Sequence, residues 1–476
     1  MLAGLRPRPP EAAARHEEDA CRSGWTKEYI LSSTRGPSSE QIRASLWFWP
    51  TIAALGSLAV TVGLLMVRPE PTSTFAEWVW PTDPSTAASL LQSVATASMA
   101  ALSLTLSLTV VALQLASQQF SPRLLRSFAR DGIVQSTVAV LLSAFVASLV
   151  TLRGLDPERP LPGLAVLLCS LLGLAAGSML IVFMAHIVGR LRVDNMMAAV
   201  HHDARSTMSD AYEPYGEGPE FPHEDLPGPE GGVLIPAWRS GFVRTVAPEP
   251  LRDAARRHGV FLWLGVRPGD SVVVGSPIAS AFVGDGSDVP VDALVRDLTE
   301  VVALGFERTE EQDVAFPLRE LIDIAIKAIS PAVNDPTTAA EALGYCADLL
   351  VRLTGRRLGP QVLQDDDGTP RAVLPDRDLR YYLDLTCAQV RRFGRNEPAV
   401  LTAVLRMLRD VAVACRDDEQ RQDVMEQTEL VLAEMSDSLL ENDKNAVRDM
   451  ARRVHSALSG DTDDAFRDRA GQTRSI

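Results

Sequence analysis

Four long stretches within the first 200 residues carry almost no charge. Residues 47–67, 84–122 and 133–152 hold no Asp, Glu, Lys or Arg, and 161–188 hold only His186 as a titratable side chain. About 20 apolar residues, at about 1.5 Å of rise each, cross the hydrocarbon core of a bilayer. Four such runs in one chain therefore predict transmembrane helices at about 47–67, 86–118, 133–152 and 161–188, within a membrane domain over 46–193. A polar, charged leader, 1–45, precedes them, so a cleaved signal peptide is not expected.

Composition hides this organisation. The whole chain is 46% hydrophobic and 22% charged with a net charge of −15, values shared by ordinary soluble proteins. Residues 1–200 hold 15 basic against 13 acidic residues, which leaves 31 against 48 for residues 201–476. The acidity thus belongs to the part after the spans. It argues against nucleic acid as a partner. Five Cys without a CxxC pair argue against a disulfide scaffold or a Cys-rich zinc module.

The connections set an orientation. Arg35 and Arg43 precede the first span, Arg123, Arg126 and Arg130 follow the second, and Arg190 and Arg192 follow the fourth. Arg68 in the first loop is outnumbered by Glu70, Glu77 and Asp83. The positive-inside rule then predicts that both termini lie in the cytoplasm. Trp47, Trp49, Trp78 and Trp80 suit interfacial belts.

The second span stands apart. Asp83-Pro84 is a good helix start and Pro122 a stop, so one helix can run well past the thickness of the hydrocarbon. Ser89, Ser93, Thr96, Ala100, Ser103, Ser107, Val110, Gln114 and Ser117 fall on it at alternating steps of four and three. Such a seam serves either close helix packing within the subunit or a path lined by Ser93, Thr96, Ser103, Ser107 and Gln114. Arg123, Arg126 and Arg130 would form its cytoplasmic mouth, although the positive-inside rule alone also explains them. No charged residue sits inside a span, which disfavours proton pumps and charge-coupled transport. Gly173 and Gly177 make a GxxxG pair in the fourth span.

Beyond the spans we expect a helical extension and linker over 194–232, a small β-rich domain with barrel-like turns over 233–290, a helical domain over 291–457 and a disordered tail over 458–476. The fold class is thus an α-helical membrane domain followed by an α+β cytoplasmic domain. Short β-rich runs near 232–235, 241–246, 260–266 and 271–274 support the second of these segments, with helices expected at 291–304, 316–329, 378–394, 397–415 and 418–457. His201, His202 and Asp203 lack metal spacing, so no metal site or cofactor is expected. Asp323 and Lys327 share a helix face, and Asn334 and Asp335 begin the next helix. These four are the ligand-loop candidates, with helix capping as the simpler reading of the loop.

Four segments carry a family resemblance: Ser117-Gln118-Gln119-Phe120-Ser121-Pro122-Arg123, Ser240-Gly241-Phe242-Val243, Pro268-Gly269-Asp270, and Ile329-Ser330-Pro331-Ala332-Val333-Asn334-Asp335-Pro336-Thr337-Thr338-Ala339. With them the chain resembles the bacterial predicted membrane proteins grouped as domain of unknown function 2254, over about residues 40–450. The resemblance implies a bacterial inner-membrane protein with an N-terminal membrane domain and a cytoplasmic C-terminal domain, and it brings no catalytic residues. No Walker A loop, HExxH or GxSxG occurs, so an enzyme is not expected. The expected function is a homo-oligomeric, channel-like membrane protein with a gating or sensing cytoplasmic domain. The alternative is a membrane-anchored sensor or scaffold that recruits a cytoplasmic protein.

Overall fold

A computed structural model describes residues 47–66, 83–119, 131–156, 161–190, 192–216, 226, 228, 231–283 and 288–467. The chain forms two compact units and passes between them at three places, so that residues 111–125 and 187–476 belong to the second.

Four apolar helices make up the first unit, the last turns of α2 and α4 counting with the second: α1 (Phe48–Met66), α2 (Pro84–Gln119), α3 (Gly132–Arg153) and α4 (Gly163–Arg190). Each is long and apolar enough to cross a membrane. Half of the α3 window is buried against 11% of the α1 window, which makes α3 the centre and α1 the periphery. Packing relies on small residues. Ser57 Oγ of α1 donates to the Ser143 carbonyl of α3 at 3.1 Å, and Gly154 at the end of α3 sits against Leu65. Ala87 and Leu91 pack with Ala147, Val166 and Cys169, while Leu102 packs with Val138, Leu141, Ala144 and Ala176. A Cβ on Gly173 would lie 3.1 Å from both methyls of Val94, whereas Gly177 faces open space. Only the first glycine of the GxxxG pair therefore makes a helix contact among the described residues. Buried hydroxyls bond back to their own helix, Thr105 to Ala101 and Thr109 to Thr105, each at 2.8 Å, and so leave few polar groups unpaired in an apolar interior.

The second unit starts with α5 (Val193–Ala211) and continues with β1 (Val233–Pro236), β2 (Gly241–Val246), α6 (Pro248–His258), β3 (Phe261–Leu264), β4 (Ser271–Val272), β5 (Pro277–Phe282), α7 (Val291–Val301) and β6 (Val302–Gly305). Then come α8 (Ala315–Ala328), α9 (Pro336–Thr354), β7 (Gln361–Gln364), β8 (Pro370–Leu374), α10 (Leu379–Phe393), α11 (Pro398–Ala414), α12 (Asp418–Glu434), α13 (Glu441–Leu458) and α14 (Thr462–Ala465).

The strands form two open sheets, ordered β1-β5-β3-β8-β7 and β4-β2-β6, and neither closes into the expected barrel. Two insertions explain the difference. Helix α6, started by Pro248 and ended by Gly259 in the left-handed region, separates β2 from β3 and leaves them in different sheets. The β7–β8 hairpin, turning at Gly368, then pairs β8 in parallel with β3. The β region is thus not confined to 233–290. It also takes residues 302–305, expected as the end of a helix, because their amides pair with β2. Ile235, Val243, Leu251, Leu262, Leu294 and Leu298 fill one core beneath α6 and α7.

Helices α8 to α13 pack side by side, with α9 between α8 and α11, and α10 between α8 and α12. The single helix expected over 418–457 is two, broken between Glu434 and Glu441. Residues 459–467, expected within a disordered tail, are ordered. Asp461 caps α14, Ala465 is buried, and the Arg409 guanidinium lies 4.3 Å from the Phe466 ring centroid.

Candidate functional site

Helix α2 carries two seams. Ala87, Leu91, Ala95, Ser98, Leu102, Thr105, Thr109 and Ala112 are buried. Ser89, Ser93, Thr96, Ala100, Ser103, Ser107, Val110 and Gln114 are all exposed. At 100° per residue the centres of the two sets lie about 160° apart, on opposite faces of the helix. Packing within the subunit therefore uses the interleaved seam, and every lining candidate points away from it. Ser93 Oγ donates to the Ser89 carbonyl at 2.8 Å. Gln114 has no side-chain hydrogen bond with a described residue. Leu90, Leu104 and Val111 flank the polar seam as exposed apolar side chains, a surface suited to lipid. The mouth candidates Arg123, Arg126 and Arg130 lie outside the described residues.

Across the bundle, Asp131 caps α3 by accepting from the amides of Ile133 and Val134. Its other oxygen lies 2.6 Å from Nε2 of His186, and its side chain is 3% exposed. The one titratable group of the fourth apolar run thus fastens the end of α4 to the start of α3.

Among the ligand-loop candidates, Asp335 is a helix cap. Asp335 accepts from the amide of Thr338 at 3.1 Å and from its hydroxyl at 2.6 Å, so it closes the first turn of α9. Its carboxyl is held below the usual range by the Thr338 side chain and amide. Asn334 takes a positive φ of 52°, tolerable for Asn, while its amide reaches the Ser330 carbonyl. Lys327 is exposed and Asp323 is half-buried on α8. The loop is thus organised by its own backbone and by the Asp335 side chain.

The Pro268-Gly269-Asp270 turn serves a buried charge network. Gly269 has φ of 91°, and a Cβ there would meet Asp313 Oδ2 at 2.1 Å. Asp313, fully buried, pairs with Arg308 and with Arg377, and Arg377 also donates to the Pro268 carbonyl at 2.8 Å. Beside it, Asp376 accepts from the Tyr212 hydroxyl, which lies 2.6 Å from that of Tyr382. Burial pushes the Asp376 carboxyl and both tyrosines up from their usual values. This network ties the turn before β4 to α10. His258, without an evident partner in sequence, lies 2.9 Å from Asp297 and links α6 to α7.

An open cleft of about 570 Å³ lies between α5 and α9, lined by Asp194, Met197, His201, Arg205, Glu341, Gly344, Tyr345, Asp348 and Arg352. His201 Nε2 is 2.7 Å from Asp348 Oδ2, and the His201 ring centroid is 5.3 Å from that of Tyr345. Desolvation alone would raise the Asp348 carboxyl, yet hydrogen bonds from Arg352 and His201 hold it below the usual range. His201, weighed in the sequence only as a metal ligand, has a partner that no local spacing reveals, because Asp348 is 147 residues away.

Comparison with known proteins agrees with this architecture. The family described as Predicted membrane protein (DUF2254) matches residues 43–410. An uncharacterized protein of Mycobacterium bovis is 30% identical over 425 residues, covering 86% of this chain and 80% of its own length. An uncharacterized protein of Mycobacterium tuberculosis is 31% identical over 427 residues with the same coverage. No solved structure matches the chain.

Proposed function

The chain belongs to the DUF2254 family of predicted membrane proteins, and from that premise we propose that it forms a homo-oligomeric, channel-like assembly in which α2 of each copy lines a shared path. One observation carries the reading. A polar seam, Ser93, Thr96, Ser103, Ser107 and Gln114, is exposed on α2 while the opposite face packs within the subunit. Ser93 to Ser107 covers about 21 Å of helix, most of a hydrocarbon core of about 30 Å. A hydroxyl stripe of that length gains nothing from lipid. Water or the same stripe on neighbouring copies satisfies it.

The proposed location is the bacterial inner membrane with both termini in the cytoplasm, as the arginine distribution favours. The second unit then acts as the gating or sensing part, and the role is non-enzymatic. Reconstitution of the purified chain in planar bilayers tests the proposal. We expect an oligomer in mild detergent and a conductance that changes with Ser103→Leu. A monomer without conductance overturns it.

A second reading, a membrane-anchored scaffold, draws on another surface. Gly241 pairs with Val272 and Phe242 with Gly305, which brings both edges of the small sheet to one end. There Phe306 is 94% exposed and Val273 and Val274 are exposed beside it. An apolar tip of this kind suits a protein partner. Capture of a partner by the full chain that fails with Phe306→Ser, together with absent conductance, favours this reading.

A further inference from the structure

Helices α5 and α9 run parallel and in register. His201 faces Asp348 across them, and past their C-terminal ends Pro214 bridges to Arg356 while the Arg357 amide reaches the Glu213 carbonyl. Carrying the separation of 147 at the His201–Asp348 bridge along both helices sets Asp194 opposite Glu341, Met197 opposite Gly344 and Arg205 opposite Arg352. All of these residues line the cleft. Its walls therefore face each other with like charges, acidic at one end and basic at the other.

The parallel helix dipoles explain part of that pattern. Asp194 in the first turn of α5 and Arg352 in the last turn of α9 complement them. Glu341 and Arg205 lie outside the end turns, where the dipole has little effect. Neither makes an ion pair or side-chain hydrogen bond with a described residue, and the Tyr345 hydroxyl is likewise uncommitted. Arg192 pairs with Asp194 on the exposed side, and Asp348 is engaged by His201 and Arg352 in the middle. Between the charged ends the floor is Met197, 1% exposed, and Gly344, above which an added Cβ meets nothing within 4 Å. The volume is within the range of about 300–1,000 Å³ that small-molecule sites occupy.

We propose that this cleft binds a small peptide-like zwitterion, its ammonium between Asp194 and Glu341 and its carboxylate at Arg205 and the outer edge of Arg352. The two charged ends are about 16 Å apart along the helix axes, and Glu341 and Arg205 are long enough to close part of that distance. A tripeptide, about 10 Å long when extended, matches the remaining gap. Its middle lies over Met197, Gly344 and the Tyr345 ring, and the Tyr345 hydroxyl meets a peptide carbonyl. The inference does not depend on whether the chain conducts.

Calorimetric titration of the full chain in detergent with trialanine tests it, beside N-acetyl-trialanine and trialanine amide, each of which lacks one charge. We expect trialanine to bind and each blocked form to bind at least about tenfold more weakly. Arg205→Gln should weaken trialanine by about the same factor and make it indifferent to C-terminal amidation. Gly344→Leu should abolish binding without lowering the melting temperature, since the new side chain enters open space and Leu favours a helix over Gly. Failure of trialanine to bind overturns the proposal. So does equal binding of the blocked peptides, or binding that survives in Gly344→Leu.

Discussion

His201 Nε2 lies 2.7 Å from Asp348 Oδ2, and the same carboxylate receives the Arg352 Nε at 2.7 Å. One acidic side chain of α9 is thus bracketed by a basic neighbour one turn on and by a histidine from the helix that follows the fourth span. The link is part-exposed, with the Asp348 side chain 42% exposed, so water screens it. A double-mutant cycle of His201→Ala and Asp348→Ala should give a coupling of about 0.5–1 kcal/mol in thermal unfolding at neutral pH.

Asp335 gives a prediction with a defined pH sign. Its folded carboxyl is held below the unfolded value by Thr338, so its stabilisation is complete above about pH 4 and fades as pH falls through the folded value. Asp335→Ala should cost about 1 kcal/mol at pH 7, with the difference from wild type shrinking below pH 4. Asp335→Asn should retain most of the cap and lose the acid dependence. Melting temperatures across pH 3 to 7 read both outcomes.

Gly269→Ala should be among the most damaging single changes in the second unit. The substitution forces a side chain to positive φ and into Asp313, which holds Arg308 and Arg377. A loss of about 3 kcal/mol or more is expected, seen as a lowered melting temperature or failed accumulation of the chain.

The two glycines of the fourth span should behave differently. Gly173→Leu pushes against Val94 and should destabilise the bundle by about 1–3 kcal/mol, while Gly177→Leu enters open space and should be near neutral. Thermal stability in detergent separates them. Equal effects would mean that Gly177 meets another copy.

Cysteine cross-linking in membranes separates the two seams of α2. Ser103→Cys and Ser107→Cys should form dimers between copies on mild oxidation, whereas Thr105→Cys, buried in the bundle, should not.

Apolar runs bounded by charge made the four spans legible, because lipid demands length and composition and little else. The facing of α2 was not legible. Ala87, Leu91, Ala95, Ser98, Leu102, Thr105 and Thr109 form a second seam interleaved with the polar one, and periodicity cannot say which of two small-residue seams packs inward. Capping made the Asp335 helix start readable from Asp-Pro alone. In contrast, β6 reads as the end of a helix until β2 supplies its partner, and the His201–Asp348 link joins positions that no local pattern connects. The break after Glu434 lacks both Gly and Pro, and Ser436, Asp437 and Ser438 are its local signal.

The exposed seam of α2 repeats every 3.5 residues, while a straight helix turns every 3.6. The stripe therefore drifts by about 20° per heptad, or about 70° between Ser89 and Gln114. Copies that meet along it cannot stand as parallel staves. They must wind about one another in a left-handed supercoil, so a small change in pitch would widen or narrow the whole bore at once.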